Sequence, residues 1–324
     1  MELGKRRTVL AMAIGVLLLA LTSSHAYAQF MSHNFRGDFG VLAGTQPPPG
    51  WWAAAGYIRF ETDALHDNNG NPVVIEPLLG SEVSANGYGA GFWWVSEKKI
   101  FGGNYSLMAF PAWTNNTIEA PALGLTQKTS TGLTDFYFQP INLGWHKDRA
   151  DYVAGIGIVA PTGSYDPDAP DNLGMGMWSA ELFGGATWYL DDAKSWHFAT
   201  AAFYETHSKK KDTDIRVGDI LTLEGGLGKS FLDGALTVGL AFDAQWKVTR
   251  DDPGELQPIF DQLNPGKHRV YGVGAEVTLP IATKKKLIGF LTARYMWDVE
   301  AHTAFKGDSF VLIASFPIPS MPLQ

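Results

Sequence analysis

From residue 50 onward the chain alternates apolar and polar positions. The clearest stretch runs from Leu236 to Thr249. Leu236, Val238, Leu240, Phe242, Ala244, Trp246 and Val248 take one face, and Thr237, Gly239, Ala241, Asp243, Gln245, Lys247 and Thr249 take the other. A period of two sustained this long excludes an amphipathic helix, whose period is 3.6. It also outruns the strand of about 5–6 residues usual in soluble sheets. A tilted strand crossing a bilayer needs about 9–11 residues, so length and period together point to membrane strands. Similar stretches predict strands at 51–61, 83–95, 104–114, 133–145, 151–161, 176–190, 195–207, 219–230, 235–249, 269–280, 287–299 and 308–316. Small residues recur on one face, as at Gly155 and Gly157 or Gly272 and Gly274. Proline is nearly absent from the strand middles. Pro111 and Pro140 are the exceptions, and each argues against a regular strand at its position.

The links between these strands alternate long and short. Thr62–Glu82, Asn115–Gly132, Thr162–Met175, Ser208–Gly218 and Arg250–His268 are long, and the last link, Ala301–Gly307, is moderate. Ser96–Gly103, His146–Ala150, Asp191–Lys194, Phe231–Gly234 and Ile281–Lys286 are short. Outer-membrane barrels show this asymmetry, with short periplasmic turns and longer external loops. Tryptophan adds an independent signal. Trp51, Trp52, Trp93, Trp94, Trp145, Trp188 and Trp196 fall at the short-turn ends of strands. Trp113, Trp178, Trp246 and Trp297 fall toward the long-loop ends. Indole favours the bilayer interface, where its apolar body and its N–H are both satisfied.

The predicted fold class is therefore all-β: a transmembrane, antiparallel, up-and-down β-barrel of about 12 strands. Lipid offers no partner to an open sheet edge, so the sheet must close. Alternation and polarity assign an inward, lumen-facing set: Arg59, Glu61, Asp135, Gln139, Glu181, Glu205, Glu224, Asp243, Lys247, Glu276 and Arg294. Both signs occur, which suits a narrow hydrated lumen crossed by ion pairs. Charged residues make up only 18 % of the chain, against about 25 % in an average soluble domain. A soluble barrel with a charged exterior fits that figure poorly.

Ahead of the barrel lie two further segments. Residues 1–28 read as a signal peptide, with Lys5, Arg6 and Arg7, an apolar run from Val9 to Leu21, and Ala26-Tyr27-Ala28. Residues 29–50 end in Pro47-Pro48-Pro49-Gly50, which stops a strand from starting earlier. They are either a periplasmic tail or a plug folded into the lumen. Residues 51–324 form the barrel.

Chemistry-bearing motifs are sparse. With no cysteine, thiolate metal sites and cysteine nucleophiles are excluded. A net charge of −8 gives no electrostatic reason to expect nucleic acid. Asp67-Asn68-Asn69-Gly70-Asn71 has the composition of a calcium loop, but Leu78 stands where an EF-hand needs its Glu, so a tight external turn is expected. No histidine pair has helix-borne zinc spacing, and there is neither a nucleophile elbow nor a phosphate loop. The expectation is no enzyme, no cofactor and no metal.

Several stretches resemble a family of outer-membrane proteins named for the meta-pathway of phenol degradation. They are Gly37-Asp38-Phe39-Gly40, Pro48-Pro49-Gly50-Trp51-Trp52, Asp67-Asn68-Asn69-Gly70-Asn71, Ala160-Pro161-Thr162-Gly163-Ser164-Tyr165-Asp166, and Asn172-Leu173-Gly174 followed by Trp178. The resemblance spans most of the chain after residue 28. It implies a barrel in a Gram-negative outer membrane that passively admits small hydrophobic or aromatic compounds. Its partners would be outer-membrane lipid, those solutes and the barrel-insertion machinery. One departure concerns the end of the chain. Outer-membrane barrels commonly finish on an aromatic residue, and here Pro317–Gln324 follows Phe316. Two alternatives remain open at this point: an outer-membrane protein with a structural or surface-binding role, and a soluble secreted β-rich ligand-binding protein.

Overall fold

A computed structural model describes residues 30–73, 81–121, 124–169, 171–231, 236–263, 266–319 and 321–322. The expected signal peptide lies outside the described residues. Twelve staves form one closed antiparallel sheet. They are β1 (Gly50–His66), β2 (Glu82–Ile100), β3 (Gly103–Phe110 continued by Ala112–Ala120), β4 (Phe136–His146), β5 (Ala150–Ala160), β6 (Ser179–Tyr189), β7 (Trp196–His207), β8 (Ile220–Phe231), β9 (Leu236–Lys247), β10 (Arg269–Ala282), β11 (Lys286–His302) and β12 (Ala304–Ile318). Each pairs with its neighbours in sequence. Closure comes from β1, which pairs with both β2 and β12. That seam runs from Trp51 opposite Ile318 to His66 opposite Ala304, with one irregularity between Thr62 and Ala64.

The two prolines act where expected. Pro111 divides β3 into halves that pair with different parts of β2. Pro140 sits in a bulge of β4, between Phe138 and Ile141. A proline cannot donate to the ladder, so the ladder breaks or bulges around it. The link expected at Ala301–Gly307 is not a loop. β11 and β12 extend until Thr303 alone turns the chain, with φ of +48°.

Facing follows the period of two. On β9, Val238 and Leu240 are exposed, while Thr237, Asp243, Gln245 and Lys247 are buried. The exposed apolar side chains form the lipid-facing band. Twelve residues tilted in a barrel rise about 30 Å, the thickness of a bilayer core. Trp51, Trp113, Trp178, Trp188, Trp196 and Trp297 are exposed. Two tryptophans leave this pattern. Trp52 is buried and donates to the Pro48 carbonyl, and Trp93 donates to Ser106 Oγ, a fully buried atom on β3.

Candidate functional site: the filled lumen

Residues 30–49 occupy the interior of the barrel. No regular element forms here, so the backbone N–H and C=O groups need other partners. The wall supplies them. At the long-loop mouth, Lys247 Nζ donates to the Phe30 carbonyl at 2.8 Å, and the Phe30 ring lies 4.9 Å from that of Phe260 in the external helix Gln257–Leu263. Deeper in, Glu205 accepts the N–H groups of His33 (2.9 Å) and Asn34 (3.2 Å). His33 bonds Asp135 at 2.9 Å and Ser179 at 2.7 Å. Arg36 bridges Asp243 (2.9 Å) on β9 and Asp298 (2.6 Å) on β11, which face each other across Gly272 of β10. Arg294, paired with Glu276 at 2.6 Å, donates to the Gly37 carbonyl at 2.7 Å.

Toward the short-turn end the contacts change character. Glu224 accepts the Phe39 N–H, and the Phe39 ring packs 4.9 Å from Phe203. Ala43 joins a core of Val153, Phe183, Ala199, Ala201 and Phe203. Gly44 donates to Thr187, and Gln46 donates to the Asn104 carbonyl and to Ser106 Oγ. The segment thus runs from the outer mouth to the inner rim, where Pro47-Pro48-Pro49 leads into β1. Inward glycines make the room. A methyl added to Gly226 or Gly239 would press on Val41, and one added to Gly40 of the segment would land on the Glu276–Arg294 pair.

Of the residues assigned inward from sequence, Asp135, Glu181, Glu205, Glu224, Asp243, Lys247, Glu276 and Arg294 are buried and meet this segment or its contacts. Gln139 is buried in the β4 bulge and bonds Tyr137 and Asn142. Asp135 lies just before β4 instead of within a strand. Arg59 and Glu61 are corrections. Arg59 is half-buried and Glu61 exposed; they pair with each other on the face that carries exposed Trp51, while buried Trp52 and Thr62 take the other face. Their polarity reflects the rim of the membrane, where a mutually paired Arg and Glu can face outward beside Tyr57. The expected ion pairs cross the lumen, and residues 30–49 run between them, with Met31 and Leu42 of the segment still exposed.

The segment carries the residues that sequence reasoning left without a role, His33, Arg36 and Asp38. Their partners stand up to 262 positions away along the chain. The signal available in sequence was indirect: glycines on inward faces, and unpaired charges ahead of the first strand. Not every polar group is satisfied. Asp38 Oδ1 and Glu224 Oε1 are buried with no partner among the described residues. Such groups oppose seating by about 1–3 kcal/mol each.

At the external face, Asp67 accepts the N–H groups of Asn69 and Asn71 and closes a tight turn. Lys210, in the loop between β7 and β8, is buried. It donates to the Met175 carbonyl at 2.7 Å and lies 5.3 Å from the Tyr165 ring. Burial pushes its ammonium down to about 8.

A family model described as "Putative MetA-pathway of phenol degradation" matches residues 62–313. Among solved structures, an outer membrane channel from Pseudomonas putida F1 superposes with a TM-score of 0.70 at 15 % identity, over 88 % of this chain and 99 % of that one. The beta domain of the Bordetella autotransporter BrkA reaches 0.45 at 15 % identity, over 83 % of this chain and 100 % of that one. Among curated proteins, none matches significantly. The fold, closed and apolar outside, is that of an outer-membrane barrel, and the outer membrane is where the protein resides. The soluble alternative falls with it.

Proposed function

The chain belongs to the family described as "Putative MetA-pathway of phenol degradation", and on that premise we propose that it is an outer-membrane channel for small hydrophobic or aromatic compounds, closed at rest by residues 30–49. The observation that carries this reading is the seating of that segment. It threads the lumen by hydrogen bonds, ion pairs and one small apolar cluster, and it leaves one oxygen each of Asp38 and Glu224 buried without a hydrogen bond among the described residues. A purely structural barrel of this width would gain more from a continuous apolar core, because half-satisfied polar networks are poor stabilisers. A segment held this way can leave without unfolding the wall, whose ladder bonds do not involve it.

Transport would then be passive. Solute meets the outer loops, where Tyr165, Trp178, Lys209 and Lys211 line a hollow of about 520 Å³. Displacement of the segment opens a lumen lined by carboxylates, arginine and lysine. The test is solute flux into proteoliposomes, with intact protein compared against a variant lacking residues 30–46. We expect phenol-sized aromatics to enter with the intact protein, and the deletion to add hydrophilic solutes and steady conductance. An inserted, heat-modifiable barrel that passes nothing in either form would refute transport.

A further inference from the structure

Two imidazole nitrogens and one carboxylate oxygen converge where the lumen segment meets the wall. His33 Nδ1 lies 3.4 Å from Glu205 Oε1, and His207 Nδ1 lies 3.5 Å from the same oxygen. Ser179 Oγ is 2.7 Å from both nitrogens. The donor atoms of His33, Glu205 and His207 all fall within 4.8 Å of one another. These side chains are almost wholly buried, at 9 %, 2 % and 0 % exposed. We propose that this cluster is a transition-metal site, of the two-histidine, one-carboxylate kind, which clips the lumen segment to β7.

The geometry suits a small borderline cation. Zinc binds imidazole nitrogen at about 2.0–2.1 Å and carboxylate oxygen at about 2.0–2.2 Å. Tetrahedral placement at those lengths separates donors by about 3.3–3.5 Å, and both nitrogen-to-Glu205 spacings are near that value. The outer contacts agree. Asp135 accepts the Nε2–H of His33 at 2.9 Å and is itself fixed by the N–H groups of Gly163 and Met175. That assigns the His33 proton to Nε2 and leaves the Nδ1 lone pair aimed at Glu205 and Ser179. A carboxylate behind a ligating histidine is the usual support of such sites. Glu205 is likewise held, by the N–H groups of His33 and Asn34. His207 Nε2 makes no hydrogen bond among the described residues, so nothing on that side resists ligation through Nδ1. Ser179 Oγ or a water would complete the shell. The donor set favours Zn²⁺, Ni²⁺ or Cu²⁺ over Ca²⁺ and Mg²⁺, which prefer oxygen. Sequence alone does not announce such a site, because His33 and Glu205 lie 172 positions apart and share no local spacing.

The site does not depend on which solute crosses the barrel. It is tested on untagged, full-length protein in detergent, stripped with EDTA and titrated with Zn²⁺ by calorimetry. We expect one Zn²⁺ per chain, unaffected by excess Ca²⁺, loss of stoichiometric binding in His33→Ala and in His207→Ala, and a loss of about 10–100-fold in affinity in Asp135→Ala, which removes the support behind His33. His33 lies outside the barrel wall, so His33→Ala should retain heat-modifiable migration even if the wall variant does not. X-ray absorption should show two imidazoles on the metal. Absence of stoichiometric binding, unchanged binding in His33→Ala, displacement by Ca²⁺, or an all-oxygen shell would each overturn the proposal.

Discussion

The outer and inner halves of the lumen segment are held by different forces. Residues 30–38 are held by charge: Lys247 on Phe30, Asp135 and Glu205 on His33, Asp243 and Asp298 on Arg36. Residues 39–46 are held mainly by shape and by hydrogen bonds between neutral groups: Phe39 on Phe203, Ala43 in its cluster, Gly44 on Thr187, Gln46 on Ser106; carboxylates reach this half only at the Phe39 and Val41 N–H groups. Charge-held contacts depend on the ionisation of their partners and, where water reaches them, on salt, whereas packed contacts depend on the apolar area they bury. The comparison therefore assigns release to the outer half and anchorage to the inner half, which continues directly into β1.

The largest effect is expected from Arg36→Ala. It strands Asp243 and Asp298 inside the lumen, and breaking a buried pair by removing one partner costs about 3–5 kcal/mol. The outer half should detach, read as a rise in open probability in planar bilayers with the barrel's melting nearly unchanged. If conductance stays at the native level, charge does not hold that half.

Phe39→Ala should act differently. Loss of a packed ring costs about 3 kcal/mol, and here it should lower the thermal stability of the whole barrel. Raising KCl from 0.1 to 1 M should open the native protein while leaving the Phe39→Ala increment constant. A salt-dependent increment would erase the distinction between the halves.

Gly40→Ala probes the boundary between the halves. The added methyl meets Glu276 and Arg294 and must push that pair aside, at about 1–3 kcal/mol. Partial opening, smaller than in Arg36→Ala, is expected in the same recordings.

The smallest effect concerns Lys210, above the charge-held half. Its folded value of about 8 lies below the unfolded one, so protonation opposes the folded loop. Loop stability is therefore lowest below pH 8 and rises as pH climbs from 8 toward 10.5. Proteolysis of the loop between β7 and β8 should slow by up to about tenfold from pH 7 to pH 9. Lys210→Met should abolish that slope.

The barrel was legible in the sequence because a period of two and alternating link lengths are local properties. The strand at Leu236–Thr249 shows this, since its faces separate by burial almost residue by residue. Facing failed at Arg59 and Glu61, where polarity was read as an inward position. In the long-loop half of β1, beyond the apolar band that starts at Trp51, a paired Arg and Glu can face out. For residues 29–50 a plug in the lumen was one of two readings open from sequence, but the segment's course and partners were not legible. An irregular segment has no period, and its partners belong to strands that become neighbours only when the sheet closes. Trp52 and Trp93 lie at the expected strand ends but turn inward, where Trp52 finds the Pro48 carbonyl of the segment and Trp93 finds Ser106 on β3.

The three prolines at the inner rim fix a direction. The chain climbs out of β1, reverses at Pro47-Pro48-Pro49 and doubles back up the bore, so its tether is on the periplasmic side and is only a few residues long. On the channel reading proposed above, a cord this short keeps the anchored inner half at the rim. The outer half would then yield more readily to a solute arriving from outside than to one arriving from the periplasm.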